Sequence, residues 1–265
     1  MIDFSKKKLF LLDMDGTIYL GDTLFDAAPD FLAGIRAKGG RYLFTTNNSS
    51  RSVTAYVDRL RRMGIGAHAE DFLTSTDALI RDMRGRYDDA LIYAFGTRSF
   101  RTQLCDAGFR VTDRPEDGVS LLVCGFDTEL TFQKLEDACI LLGRGVDFLA
   151  TNPDWVCPTS YGFVPDCGSV CEMLHRATGR TPRFIGKPEP EMALLAMERC
   201  ACRAEETVLI GDRIYTDIAC GVNAGIDTAF VLSGEGVAED IARFDIHPTE
   251  VFSGIGEILR RMRDI

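Results

Sequence analysis

The chain has 265 residues, of which 46% are apolar and 26% charged, and a formal net charge of −10. That is the composition of a soluble globule, long enough for one large domain or two modest ones. The acidic balance disfavours a nucleic-acid polymer as partner, and no apolar run reaches the length of a membrane-spanning helix. An anionic small substrate stays open, because a bound divalent cation inverts the local field.

Taken in chain order, Lys6-Lys7-Lys8 ahead of Leu9–Leu12 has the outline of a secretory leader. The apolar stretch is too short and Asp13 interrupts it, so the reading is a strand, Lys8–Leu12, in a cytoplasmic protein. Phe31, Leu32 and Ile35 mark the inward face of a following helix, weakened by Gly34. Arg41–Phe44 enters a second strand that ends at the polar cluster Thr45-Thr46-Asn47-Asn48-Ser49. Val53, Val57 and Leu60 sit at helical spacing. Ser75 is placed to cap a helix reaching about Arg84.

Strands are then expected over Ala90–Ala94, Ser120–Cys124 and Phe148–Ala150, with a helix over Thr131–Leu142 and another near Ser169–Ala177. Phe184-Ile185 leads to Gly186-Lys187-Pro188. Pro190 opens a helix to about Cys200. Thr207–Ile210 is a strongly apolar strand ending at Gly211-Asp212, followed by a helix through Ile218 and Val222. A strand over Thr228–Leu232 and a helix over Ile255–Met262 complete the chain. Alternating strands and helices indicate βαβ units and a parallel sheet. The first and last parts, 1–79 and 183–265, read as one split α/β domain, and 80–182 as a second α/β unit inserted into it.

Nine cysteines, an odd number in a chain this long, read as reduced thiols, several packed as small apolar residues. Neither Cys167-x3-Cys171 nor Cys200-x-Cys202 has a paired zinc-knuckle spacing. His68, His175 and His247 match no motif. Trp155 and Tyr161 suit either packing or stacking on a ring.

The chemistry concentrates at predicted strand ends. Asp13 and Asp15 alternate on an extended chain, so both carboxylates can face one site before Gly16 and Thr17 turn the chain away. Thr46 and Asn47, Lys187, Asp212 and Asp217 sit after further strands, where open α/β sheets bind ligands. Singly, Thr46 and Asn47 also suit a turn, Lys187 a solvated loop, Asp212 a helix cap and Asp217 an exposed helix face. Their joint occurrence at strand ends favours a site.

Four ordered motifs, Asp13-Met14-Asp15-Gly16-Thr17, Thr46-Asn47-Asn48-Ser49, Gly186-Lys187-Pro188 and Gly211-Asp212-Arg213-Ile214-Tyr215-Thr216-Asp217, resemble those of the haloacid dehalogenase (HAD) superfamily of phosphotransferases, and within it the NagD-like and p-nitrophenylphosphatase branch. The resemblance implies a Rossmann-like parallel-sheet core with an inserted α/β cap domain of the C2 type. It also implies Mg2+-dependent phosphomonoester hydrolysis through an aspartyl-phosphate. By position, Asp13 matches the nucleophile and Asp15 the general acid/base. Thr46, with Asn47 beside it, and Lys187 match the phosphate-binding positions. Asp13, Asp212 and the Asp15 backbone carbonyl match the metal ligands, with Asp217 in support. The segments Asn152-Pro153-Asp154 and Val164-Pro165-Asp166-Cys167-Gly168 resemble cap segments of that branch, so Asp166 and Cys167 are candidate substrate contacts, a simple turn being the other reading.

The expected substrates are small phosphorylated metabolites, such as nucleoside monophosphates, sugar phosphates or pyridoxal phosphate, and the resemblance of the cap segments leans toward nucleotides and toward broad p-nitrophenyl phosphate activity. The alternatives are a phosphomutase or other phosphotransferase using the same intermediate, and a nonenzymatic metabolite-binding regulator. No membrane partner is expected, and a homo-oligomer is left open.

Overall fold

A computed structural model describes residues 1–159 and 161–263. Two compact units make up the chain. The first comprises Met1–Thr46, Val57–Leu73 and Lys187–Ile265, and the second Asn47–Tyr56 and Thr74–Gly186.

The first unit is built on a six-stranded sheet in the order Glu250–Phe252, Asp227–Val231, Thr207–Gly211, Leu9–Leu12, Arg41–Thr46 and Phe72–Thr74. The first four junctions are parallel. Leu9, Phe10, Leu11 and Leu12 form a central strand with both faces covered. That accounts for a continuous apolar run in place of alternation. Burying each such side chain contributes roughly 2 kcal/mol. The register pairs Leu12 with Ile210 on one side and with Phe44 on the other. Asp13 is therefore level with Gly211 and Thr45 at the carboxyl edge, where the chain has crossed to both sides of its first strand. Helix Ala28–Ala37 carries Pro29 in its first turn and buries Phe31, Leu32 and Ile35, as their spacing predicts.

After Thr207–Gly211 the chain departs from the single helix expected there. Residues Ile214–Ile218 form a π-helical turn, and only Ala219–Asn223 is α-helical. The wider turn shows in the Ile218 amide, which donates to the Arg213 carbonyl five residues back (3.2 Å); Asp217 reaches Arg213 as well, its amide donating to the same carbonyl (2.9 Å) and its Oδ2 accepting from the Arg213 amide (3.1 Å). Single π turns of this kind often mark functional sites.

The second unit carries a parallel five-stranded sheet, ordered Arg183–Phe184, Asp147–Ala150, Val119–Cys124, Leu91–Phe95 and Arg110–Thr112, with an antiparallel hairpin, Val156–Thr159 and Gly162–Pro165. Helices Arg98–Asp106, Phe132–Gly143 and Cys167–Thr178 are capped by Thr97, Thr131 and Asp166. Tyr93, Phe95, Leu122, Leu141, Phe148 and Leu174 fill its core. Trp155 and Tyr161 are exposed, outside that core.

The borders of this unit are wider than 80–182, because the polar segment after Thr46 finds its partners inside it. Ser49 Oγ accepts from the Phe126 amide (2.8 Å) and lies 3.0 Å from Thr151 Oγ1. Thr97 Oγ1 donates to the Ser50 carbonyl (3.1 Å). Helix Ser75–Met83 is capped one residue earlier than expected. Thr74 Oγ1 accepts from the Asp77 amide, and the Asp77 carboxylate takes the Thr74 amide, a reciprocal box that Ser75 cannot form. The Ser75 hydroxyl instead donates to the Asn47 carbonyl (2.7 Å).

Candidate active site

The loop after the central strand is fixed by its own backbone. The Asp13 amide donates to the Ile210 carbonyl (2.9 Å), and the Met14 carbonyl accepts from the Ile18 amide (2.8 Å). Gly16 has φ +83°, and a Cβ there would lie 2.3 Å from Asp212 Oδ2. Backbone conformation and space therefore both demand glycine.

Lys187 follows strand Arg183–Phe184 after Ile185 and Gly186, and is almost fully buried. Its Nζ donates to Asp13 Oδ1 (2.7 Å), to Asp217 Oδ1 (2.5 Å) and to the Thr45 carbonyl (3.4 Å). Burial alone would lower its pKa, but the Asp13 and Asp217 charges outweigh it and push the ammonium well above the ordinary lysine range. Lys187 is therefore a permanent cation.

Asp212 closes the cluster. Its Oδ2 accepts from the Glu235 amide (2.7 Å), while Oδ1 is buried without a hydrogen-bond partner. Burial, then the nearby Asp13 and Asp217 charges, push its carboxyl up to about 8. Asp13 is pushed up to about 6 by burial and by Asp217, against the pull of Lys187. Oxygens of Asp13, Asp212 and Asp217 all lie within 4.8 Å of one another. Three hard carboxylate donors, with one buried oxygen lacking a hydrogen bond, match the oxygen preference of Mg2+.

Asp15 stands beside this triad. Its carboxyl accepts a backbone hydrogen bond from Gly21, and burial raises its pKa against the Arg59 and Arg213 charges. Arg213 also acts on Asp13 and Asp212. Arg213 is held by Glu235, with Nε 2.9 Å from the carboxylate.

The structure thus brings Asp13, Lys187, Asp212 and Asp217 together, with Thr46 closing the adjoining strand. The other predicted positions lie in the second unit. The Asn47 amide donates to the Asp154 carboxylate (3.0 Å), and Asn152 donates to both Asp154 (3.0 Å) and Asp166 (3.2 Å). Asp166 caps its helix through the Cys167 amide (2.5 Å), and burial pushes its carboxyl up to about 7. Cys167 is fully buried.

Ser233, Gly234 and Glu235 went unread in the sequence. Ser233 Oγ donates to the Gly16 carbonyl (2.7 Å), and a Cβ on Gly234 would lie 2.1 Å from Asp212 Oδ2. The signal was a Gly-rich turn at the carboxyl end of the strand read over Thr228–Leu232. Gly234→Ala is expected to force this turn outward and take the Glu235 amide off Asp212. Supporting contacts of this kind are worth about 10–100-fold in metal affinity or activity. Calorimetric Mg2+ affinity and kcat/KM should both fall in that range, and parental Mg2+ affinity would contradict the clamp.

A buried lysine shared by carboxylates, at the carboxyl edge of a Rossmann-like parallel sheet that accompanies an inserted α/β unit, defines a phosphate-ester hydrolase of the HAD type. The chain belongs to the haloacid dehalogenase-like hydrolases. The family model of that description matches residues 10–110, and a second, HAD-hydrolase-like, matches 184–258. It is 33% identical to the acid sugar phosphatase of Staphylococcus aureus (strain MRSA252) over 255 residues, 96% of this chain and 98% of the relative.

Its fold matches the 4-nitrophenylphosphatase of Thermotoga maritima with a TM-score of 0.91 and 37% identity, covering 97% of this chain and 98% of the other. The glycerol phosphate phosphatase of Mycobacterium tuberculosis, solved in complex with magnesium, matches with a TM-score of 0.89 and 29% identity, over 97% of this chain and 78% of the other. The chain is an HAD phosphatase of the NagD-like and p-nitrophenylphosphatase kind. Among the described residues no helix is long and apolar enough to cross a membrane.

Proposed function

We propose that this phosphatase hydrolyses sugar or polyol phosphates through a phosphoryl group carried transiently on Asp13, with Mg2+ as cofactor. The observation that carries the reading is Lys187 Nζ, hydrogen-bonded to both Asp13 and Asp217 beside the buried Asp212 oxygen. The relatives named for sugar and glycerol phosphates favour that substrate class over nucleotides. Asp13, Asp212 and the Asp15 carbonyl would hold Mg2+, with Asp217 in support. Bound there, the cation neutralises phosphate charge that otherwise repels a carboxylate.

An Asp13 oxygen attacks phosphorus as the bond to the substrate's ester oxygen breaks, and Asp15 gives that oxygen its proton. Asp15 then takes a proton from water, whose oxygen attacks phosphorus and releases Asp13. A carboxyl raised above its ordinary range, as Asp15 is, is suited to hold a proton for the first step and regain one in the second. Lys187, fixed as a cation, stabilises charge on the phosphoryl oxygens, and the Thr46 hydroxyl donates to one of them.

Protons on Asp212 and Asp13 compete with the cation, at about 8 and about 6 respectively. Raising the pH from 6 to 8 removes them, so Mg2+ binding should tighten, by up to about tenfold per pH unit while one proton is displaced. Calorimetry in buffers of different ionisation enthalpy would record the proton release. An affinity independent of pH would contradict protonated carboxyls at this site.

A panel of sugar, polyol and nucleoside phosphates, assayed for inorganic phosphate with and without Mg2+, tests the function. Sugar or polyol esters should lead, and only with Mg2+; release of phosphate solely when an acceptor hydroxyl is supplied would identify a transferase instead. For the buried Asp166 and Cys167 the proposal is a positioning role in substrate choice, through the Asn152–Asp154–Asn47 chain of hydrogen bonds. Asp166→Ala should change the ranking of substrates by kcat/KM by several-fold without weakening Mg2+. A uniform change across the panel would reduce Asp166 to a helix cap.

A further inference from the structure

Three cysteines whose sulfurs take no part in the proposed chemical steps meet in the second unit. Cys124 ends strand Val119–Cys124, Cys167 opens helix Cys167–Thr178, and Cys171 lies one turn further along that helix. Their sulfurs all lie within 4.8 Å of one another, with Cys167 Sγ 3.9 Å from each of the other two. All three are buried within the apolar core that includes Phe126, Leu142 and Ala150.

These sulfurs are free thiols, and 3.9 Å is far beyond the roughly 2.05 Å of a disulfide. It is instead the spacing around a three-coordinate metal. Bonds of about 2.3 Å at 120° set sulfurs about 4.0 Å apart. Helical residues four apart share a face, so Cys167 and Cys171 present two such ligands without rearrangement.

We infer that Cys124, Cys167 and Cys171 form a trigonal binding site for a soft monovalent cation, Cu(I). Thiolates select Cu(I) and Zn2+ over hard ions. Zn2+ in closed protein sites takes four ligands, and among the described residues the group of metal-ligating side chains contains only these three. Binding is an exchange: Cu(I) replaces thiol protons, which leave to solvent, and copper stays cuprous, so no oxidant or reductant is consumed.

The test uses the full chain under anaerobic conditions, with Cu(I) supplied from a chromogenic Cu(I) chelator. The protein should withdraw one equivalent, and Cys171→Ala should lose at least tenfold in competition against the chelator. Cys105→Ala, at an exposed cysteine, should compete like the parent. If Cys171→Ala fails to fold, X-ray absorption on the copper-loaded parent decides, with three sulfur neighbours expected. No withdrawal of Cu(I), undiminished withdrawal by folded Cys171→Ala, or a copper shell of two sulfurs would each overturn the site. Tighter retention of Zn2+ than of Cu(I) in parallel competition would overturn the choice of metal.

Discussion

Asp13→Asn should lower kcat by roughly 10^4-fold or more, a loss typical of removing a nucleophile. An amide oxygen of nearly the same size and position lacks the charge to displace an alkoxide from phosphorus. The fold should persist, because Lys187 retains Asp217 Oδ1 at 2.5 Å and the Thr45 carbonyl. Losing the Asp13 charge also relieves part of the repulsion that, after burial, pushes the Asp212 carboxyl up. Stability should therefore stay within about 1 kcal/mol of the parent. Steady-state kinetics beside denaturant unfolding separates the two effects. A folded Asp13→Asn enzyme of parental kcat would end the nucleophile assignment.

Lys187→Met should have the largest effect on stability. Nζ is the shared donor to Asp13 and Asp217, and the side chain is almost fully buried. Removing one partner of a buried ion pair typically costs about 3–5 kcal/mol, because the remaining charge stays desolvated. Here Asp13 can escape part of that cost by taking up a proton. Burial and the neighbouring Asp217 charge already push its carboxyl up to about 6, and losing the Lys187 ammonium raises it further, so the native state holds more protons than the unfolded chain and stability falls as pH rises. The penalty should be larger at pH 8 than at pH 5 in metal-free protein, and urea unfolding at the two values reads it. Equal penalties below about 1 kcal/mol would show that Lys187 does not compensate these carboxylates. Turnover should fall as well, since the phosphoryl oxygens lose their fixed cation.

Part of the candidate cluster was legible because Asp13 and Asp212 each follow an apolar strand. Leu9–Leu12 announces Asp13, and Thr207–Gly211 announces Asp212, since buried parallel strands are continuous apolar runs and their carboxyl ends share one edge. Lys187 could be placed only through its motif. No local pattern states that a lysine before proline is buried between two carboxylates.

Contacts that depend on close approach were not legible. Gly234 shows its role only when Asp212 lies against it. Thr74 won the cap over Ser75 because the Asp77 carboxylate reaches back to it. The Asn47–Tyr56 segment joined the second unit through hydrogen bonds that span 77, 102 and 107 residues of sequence. Cys167-x3-Cys171 lacked a partner pair in the sequence, and Cys124 reaches it only through folding.

The most direct test of the account is to mix enzyme, Mg2+ and an excess of a reactive phosphate ester, quench in acid within the first turnovers, and map the phosphoryl group by peptide mass spectrometry. A hydroxylamine-sensitive phosphoryl group is expected on Asp13, formed at least as fast as turnover and absent from Asp13→Asn. Turnover with the label on another residue, or with an unlabelled Asp13 throughout a demonstrated burst, would contradict it.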